Sequence, residues 1–95
     1  MEQDREKFGV SMEAQLKAWQ ESIEESKAAA EEKGPDFWAL FKPEVDKLTS
    51  LYEEARYKFK LLRMNTGEAW DELRQGLEKA GEQLKAALAK AREKL

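Results

Sequence analysis

Residues 62–73 read LRMNTGEAWDEL, and this stretch decides the fold of the chain. Leu62 and Leu73 stand eleven residues apart and continue an apolar stripe along the C-terminal half. Between them, residues 65–67 read NTG, which is typical of a turn, because Gly is a poor residue inside a helix and Asn favours helix ends. The stretch therefore belongs either to one long helix or to the boundary between two helices.

An eleven-residue repeat favours the single long helix. Eleven residues over three turns correspond to about 3.67 residues per turn, close to the period of a straight α-helix. A chain that reversed direction would have no reason to keep this phase on both sides of the turn, so we expect a continuous second helix over residues 43–94. The repeat has three registers: Leu51, Leu62, Leu73, Leu84 and Leu95; Leu48, Phe59 and Trp70, ending at Gly81; and Ala55, Thr66, Leu77 and Leu88.

The alternative is a three-helix bundle with a break at residues 65–67. Asn65 is followed three residues later by Glu68, a spacing that mimics the capping box of a helix start. Gly67 is a residue that favours a break at the same place. Both interpretations give an all-α fold in a single domain over residues 1–95. They differ in whether the last third packs against its own chain or extends beyond it.

A first helix is predicted over about residues 4–33, which carry a helical apolar stripe and many Ala, Glu and Lys residues. Its start has two interpretations, because Gly9 disfavours a helix near the N-terminus. The helix begins either near Asp4, running through Gly9, or after a cap at Ser11.

A stop signal and a loop follow the first helix. Gly34 suits the left-handed position after a helix, and Pro35 cannot continue one. We expect a loop over residues 34–42 that reverses the chain, with Asp36 capping a short turn inside it. Pro43 then fits the first turn of the second helix.

Composition narrows the classes of function. Charged residues make up 39% of the chain and the net charge is −3, so the clustered positive charge that nucleic acids need is not indicated. The sequence has no Cys and no His, which removes thiol chemistry and the commonest metal ligand. Di-metal sites in helical bundles use Glu together with His. We therefore expect no enzyme activity, no cofactor and no metal. No apolar run approaches the roughly 20 residues of a membrane span, and we expect a cytoplasmic protein.

Self-association is the main prediction about partners. A second helix of about 52 residues would be about 78 Å long and would outrun the first by 30 Å or more. Its overhang would leave an apolar stripe in water, which a second copy of the chain would cover. We expect a homodimer that forms a four-helix bundle, with a trimer as an alternative; a break at 65–67 would make a monomer sufficient. The predicted self-association residues are Leu62, Trp70, Leu73, Leu77, Leu84 and Leu88.

Three other surfaces have two interpretations each. The aromatic cluster Phe37, Trp38 and Phe41 either docks a protein partner or covers the end of the core, and we favour the cover. The amphipathic segment 68–95 either lies on a membrane surface or packs in the bundle; its balanced charge favours packing. The basic face of the second helix either contacts nucleic acid or pairs with acids of the first helix, which we favour. This face comprises Arg56, Lys60 and Arg63, beside Tyr52, Tyr57 and Phe59.

Two strings carry a resemblance to a known family. EAQLKAWQESIEE (13–25) and GEAWDELRQGLEKA (67–80) resemble an uncharacterised family of small bacterial helical coiled-coil proteins. The middle of the chain, residues 34–45, departs from the unbroken helical stretch of that family, and Gly81 stands where its members often carry a second Trp. The resemblance implies a bacterial coiled-coil protein and provides no catalytic residues. We therefore expect a non-enzymatic, self-associating protein with a structural or protein-interaction role.

Overall fold

The described part of the chain folds into a bundle of three α-helices. A computed structural model describes the backbone of residues 2–65 and 67–95, and the side chains from residue 4 onward within those ranges. In this part of the chain there is no strand, and the helices are α1 (Glu2–Glu32), α2 (Pro35–Met64) and α3 (Trp70–Lys94). They contain 31, 30 and 25 residues and lie side by side in a bundle of 50 × 18 × 17 Å. The all-α class is confirmed, and α1 begins near the earlier of its two predicted starts.

The chain reverses between α2 and α3, so it forms the three-helix alternative rather than the expected continuous helix over 43–94. Asn65 is extended, with φ −111° and ψ 125°, and its N–H donates to the carbonyl of Leu62 at 3.1 Å. The N–H of Trp70 donates to the carbonyl of Gly67 at 3.2 Å, in a turn from which α3 starts. This reversal gives three helices of similar length.

The eleven-residue phase is compatible with the break, because each helix keeps its own period on either side of it. Reversal lets the apolar face of α3 pack on α1 and α2, and leaving that face in water would cost about 1.5–3 kcal/mol for each large side chain. The capping box predicted from Asn65 and Glu68 does not start α3, whose N-cap is Ala69 without a side-chain capping bond. Thr66, a predicted stripe position, lies outside the described residues.

The link between α1 and α2 is a tight turn at Gly34, and the expected loop over 34–42 is absent. Gly34 has φ of 104°, a conformation that side chains with a Cβ rarely adopt. Pro35 is the first residue of α2, and the N–H of Trp38 donates to the carbonyl of Gly34 at 3.0 Å. The predicted Gly-Pro stop signal is confirmed, but the next helix begins at once.

Pro43 lies inside α2 instead of at its start. Because Pro has no N–H, α2 lacks one backbone hydrogen bond at this point. The helix continues through Pro43 because Phe41 and Val45, on either side of it, are both buried. Their burial outweighs the bias of Lys42, the residue before Pro, away from helical angles. Asp36 lies in the first turn of α2 and does not cap it.

Two hydrophobic clusters fill the bundle, one towards each end. All described positions of the predicted stripe are buried or half-buried, and Leu48, Leu77 and Leu84 are the largest fully buried side chains. The buried members of the first cluster are Met12, Leu16, Ala55, Phe59, Leu62, Trp70, Leu77 and Ala80; those of the second are Ile23, Ala30, Phe41, Val45, Leu48, Leu84, Leu88 and Ala91.

Trp19 packs against both clusters and lies directly on Gly81 of α3. A Cβ added to Gly81 would lie 2.8 Å from Cη2 of the Trp19 ring. Gly81 is itself buried in the interface between the helices. It provides the space in which the indole of α1 contacts the backbone of α3.

Candidate binding groove

The residues predicted for self-association lie inside a single chain. Leu62, Trp70, Leu77, Leu84 and Leu88 are buried among the three helices, and Leu73 is half-buried. The expected overhang is absent as well, since α3 runs back along α2 and α1. At its end, Lys94 pairs with Glu44 of α2, and Lys33, the residue after α1, donates to the carbonyl of Leu95. The stripe thus needs no second copy to cover it.

The aromatic cluster at the start of α2 covers the second hydrophobic cluster. Phe41 is buried, while Phe37 and Trp38 are half-buried against the core. The rings of Phe37 and Phe41 stack with centroids 5.7 Å apart. These contacts favour the cover over a docking site. Leu40, in the same part of α2, lies on the outer surface and is 81% exposed.

The amphipathic segment 68–95 places its apolar face in the core, as the buried residues of α3 show. No helix in the described part of the chain is long and apolar enough to cross a membrane. Binding to a lipid surface would require α3 to leave the bundle, and none of its contacts favours that.

The basic face of α2 forms one wall of a groove between α1 and α2, with a volume of about 490 Å³. Arg56, Lys60 and Arg63 follow a spacing of four and three residues, which places them on the same side of a helix. The opposite wall comes from α1. We call this site the α1/α2 groove; its lining is Glu13, Leu16, Lys17, Gln20, Tyr52, Arg56, Phe59, Lys60, Arg63 and Met64.

The floor of the α1/α2 groove is apolar. Leu16 and Phe59 belong to the first hydrophobic cluster, and Tyr52 packs against it. At the rim, Met64 is 74% exposed, and Tyr57 next to the groove is 61% exposed. Large apolar side chains are thus present in the floor and, unusually for this molecule, on the outer surface beside it.

The charges around the groove are unlike those of the whole protein. Among its described lining residues, four are cationic and one, Glu13, is a carboxylate, whereas the full chain carries a net charge of −3. Glu13 pairs across the groove with Arg63 at 3.2 Å, which is the interhelical ion pair expected from the sequence. Lys17 and Lys60, on opposite walls, make no ion pair or hydrogen bond with any described residue.

Arg56 pairs within its own helix, with Glu53 at 3.7 Å, instead of with α1. Both side chains are more than half exposed, so this pair is worth about 0–1 kcal/mol. A ligand with an acidic group can therefore compete for Arg56 at little cost. Among the described residues, the predicted salt bridge between this face and α1 is formed at Arg63 alone.

A second cavity, of about 420 Å³, continues the groove towards the first turns of α1 and α3. Here Phe8 and Trp70 meet edge to face, with ring centroids 5.8 Å apart. The guanidinium carbon of Arg5 lies 5.0 Å from the Trp70 ring centroid, and that of Arg74 lies 5.0 Å from the Phe8 centroid. These aromatic and cation–π contacts hold α1 to α3 and close this end of the core.

Sequence reasoning missed the α1 wall of the groove. Lys17 and Gln20 lie one turn apart, beside the buried Leu16, and this spacing predicts that they flank the helix packing face. What the sequence did not provide was the helix that lies opposite them. Arg5 and Phe8 were missed in the same way, although Phe8 is in line with Met12 on the apolar stripe.

Neither a metal site nor a similar protein points to a further functional site in the described residues. No group of three Asp or Glu side chains in the described residues is arranged to hold a metal ion. Comparisons of the chain with family models, curated proteins and solved structures find no match. The resemblance to small bacterial coiled-coil proteins therefore stays a prediction.

Proposed function

We propose that this protein is a non-enzymatic interaction module that acts as a folded three-helix monomer and binds a helix of a partner protein in the α1/α2 groove. The observation that carries this proposal is the combination of an apolar floor with two cations on opposite walls, Lys17 and Lys60, which have no partner among the residues that the structure describes. Binding of an amphipathic helix in a hydrophobic groove is a common mode of recognition between proteins.

The dimensions of the groove suit a short helix. Its α2 wall extends from Tyr52 to Met64, which corresponds to about 18 Å at 1.5 Å per residue. A partner helix of about three turns would cover this length. Its apolar residues would pack over Tyr52, which the bundle leaves half-buried, and Met64, which is exposed. The cationic side chains would lie at the periphery, as in interfaces with an apolar core and a polar rim.

Monomeric action follows from the burial of the predicted self-association residues. We do not retain the homodimer or trimer, because the apolar stripe that motivated them is covered within one chain. Sedimentation equilibrium at micromolar concentration tests this directly. We expect the monomer mass of 11.0 kDa, and a stable dimer mass would refute the monomeric module.

Site-specific photo-crosslinking in cells that express the protein tests the groove. A photoreactive phenylalanine analogue replaces Gln20, which lines the groove, or Gln83, an exposed residue of α3 outside it. We expect a discrete adduct from position 20 and none from position 83. Mass spectrometry then identifies the partner and the crosslinked segment. Equal labelling from both positions, or none from position 20, would refute binding in this groove.

A further inference from the structure

We infer that the partner segment is an acidic amphipathic helix, with carboxylates that face Lys17 and Lys60 and apolar residues that face Tyr52 and Met64. This inference rests on the proposed function, since it names the chemistry of the helix that the α1/α2 groove binds. It follows from charge complementarity and from the apolar side chains at the rim.

Charge complementarity selects an acidic ligand. The groove has four cations and one carboxylate among its described lining residues, in a chain with a net charge of −3. Lys17 and Lys60 have no partner among the described residues, so a carboxylate can approach each of them without displacing one of these. A basic or neutral helix would gain nothing from this arrangement. An acidic helix would also be steered to the groove during encounter.

The apolar positions fix the pattern of the ligand. A helix that lies along the groove presents one face to the floor, so its apolar residues must recur at spacings of three and four. Met64 is 74% exposed beside this floor, and a flexible thioether adapts to different apolar partners. The carboxylates belong on both flanks of the apolar face, because the two lysines lie on opposite walls.

A nucleic acid is the competing polyanion, and the aromatic residues disfavour it. Binding of single strands relies on exposed aromatic rings that stack on bases. Of the three aromatic residues on this face of α2, Phe59 is 6% exposed and Tyr52 is half-buried. Tyr57 alone among them is well exposed, at 61%, and one ring does not form a surface on which successive bases stack. The net charge of −3 would also repel a polyanion longer than the groove.

Selection from a displayed library of random 16-residue peptides tests this inference on the full-length purified protein. We expect the enriched peptides to carry Asp and Glu on both flanks of an apolar face. Fluorescence anisotropy then measures their affinities. The double variant Lys17→Glu/Lys60→Glu should weaken binding about tenfold or more, because two attractions become repulsions.

The matched control Lys42→Glu/Lys79→Glu makes the same change of charge at exposed positions outside the groove, and it should keep the affinity within about twofold. Circular dichroism confirms that each variant is folded. If the double variant does not fold, the single variant Lys60→Glu takes its place. Arg56 and Arg63 flank the new carboxylate on the same face of α2 and stabilise the helix.

The outcomes separate the two proposals. Chemical shift changes of amide resonances show where each selected peptide binds. Peptides that bind the α1/α2 groove but lack acidic residues, or that bind the groove variant and the control equally, would overturn the acidic helix and leave the interaction module standing. Failure of any peptide to bind the groove would overturn both. Tighter binding of a single-stranded oligonucleotide at the groove, titrated in the same assay, would replace the peptide by a nucleic acid.

Discussion

Replacement of Gly81 by Ala has two opposing effects on stability. It raises the helix propensity of α3, and it places a Cβ against the ring of Trp19. Gly76 and Gly81 both lie inside α3, so Ala at either position gains about 0.8–1.0 kcal/mol of helix propensity. The two sites differ in their surroundings. A Cβ at Gly76 meets nothing within 4 Å, whereas a Cβ at Gly81 lies 2.8 Å from Cη2 of Trp19.

The expected magnitudes follow from this difference. Gly76→Ala should raise the free energy of unfolding by about 1 kcal/mol. Gly81→Ala must displace the Trp19 ring, and overpacking of this kind costs about 1–3 kcal/mol. The net effect at Gly81 therefore ranges from neutral to a loss of about 2 kcal/mol. For a domain of this size, each kcal/mol corresponds to about 4–8 °C in Tm.

Urea denaturation followed by far-UV circular dichroism measures these changes. This readout does not depend on the fluorescence of Trp19, which the substitutions themselves alter. The background Trp19→Ala completes a double-mutant cycle, which isolates the contact between the two side chains. In that background Gly81→Ala should stabilise as much as Gly76→Ala does. The packing of Trp19 on Gly81 is refuted if Gly81→Ala stabilises the unaltered protein by a full 1 kcal/mol, or if removal of the indole leaves its effect unchanged.

Four further predictions concern two glycines in the turns, the proline inside α2 and one ion pair. Gly34→Ala should lower stability by about 1–2 kcal/mol in the same denaturation assay, because Gly34 has φ of 104°. Gly67→Ala should change stability by less than about 1 kcal/mol, because a Cβ at Gly67 would meet Oδ1 of Asn65 at 3.8 Å, an ordinary van der Waals distance. Pro43→Ala should raise Tm, since it restores a donor to α2; an unchanged or lower Tm would show that the helix is already distorted there at no cost. The hydrogen bond from Lys94 lowers the pKa of Glu44 below its ordinary 4.5, so this contribution to stability is present above pH 4.5 and is lost as pH falls below it. The Tm difference between the protein and Lys94→Met should accordingly shrink from pH 7 to pH 3, and a constant difference would contradict the pairing.

The sequence predicted the core residues well, because burial in a helix depends on local period. The positions of Leu48, Leu77 and Leu84 follow from the eleven-residue repeat whatever the chain does between helices. The turn at Gly34 was equally accessible, since a positive φ and a following Pro are local properties. Pro43 shows the limit of local signals, because burial of the residues around it keeps the helix continuous.

The reversal after Met64 could not be derived from the repeat. A period reports which face of a helix is apolar, and it carries no information on what that face packs against. Asn65 and Gly67, two residues typical of turns, correctly indicated a break. The prediction of a continuous helix was wrong because it gave more weight to the phase match between Leu62 and Leu73. The α1/α2 groove was only half visible for a related reason, as its walls come from segments about 40 residues apart in the chain.

The phase match across the link between α2 and α3 also has a consequence for the number of chains in the molecule. The core residues determine the fold, whereas the conformation of the link determines whether α3 packs on its own chain. Since the stripe is in register on both sides, a chain that straightened between Met64 and Trp70 would offer α3 to the α1 and α2 of a neighbour with the same core contacts. Exchange of identical elements between protomers needs no new interface. Core substitutions therefore change the stability of the monomer and of the exchanged oligomer together. Substitutions that make the whole link helical instead favour the exchanged oligomer, and more so at higher protein concentration.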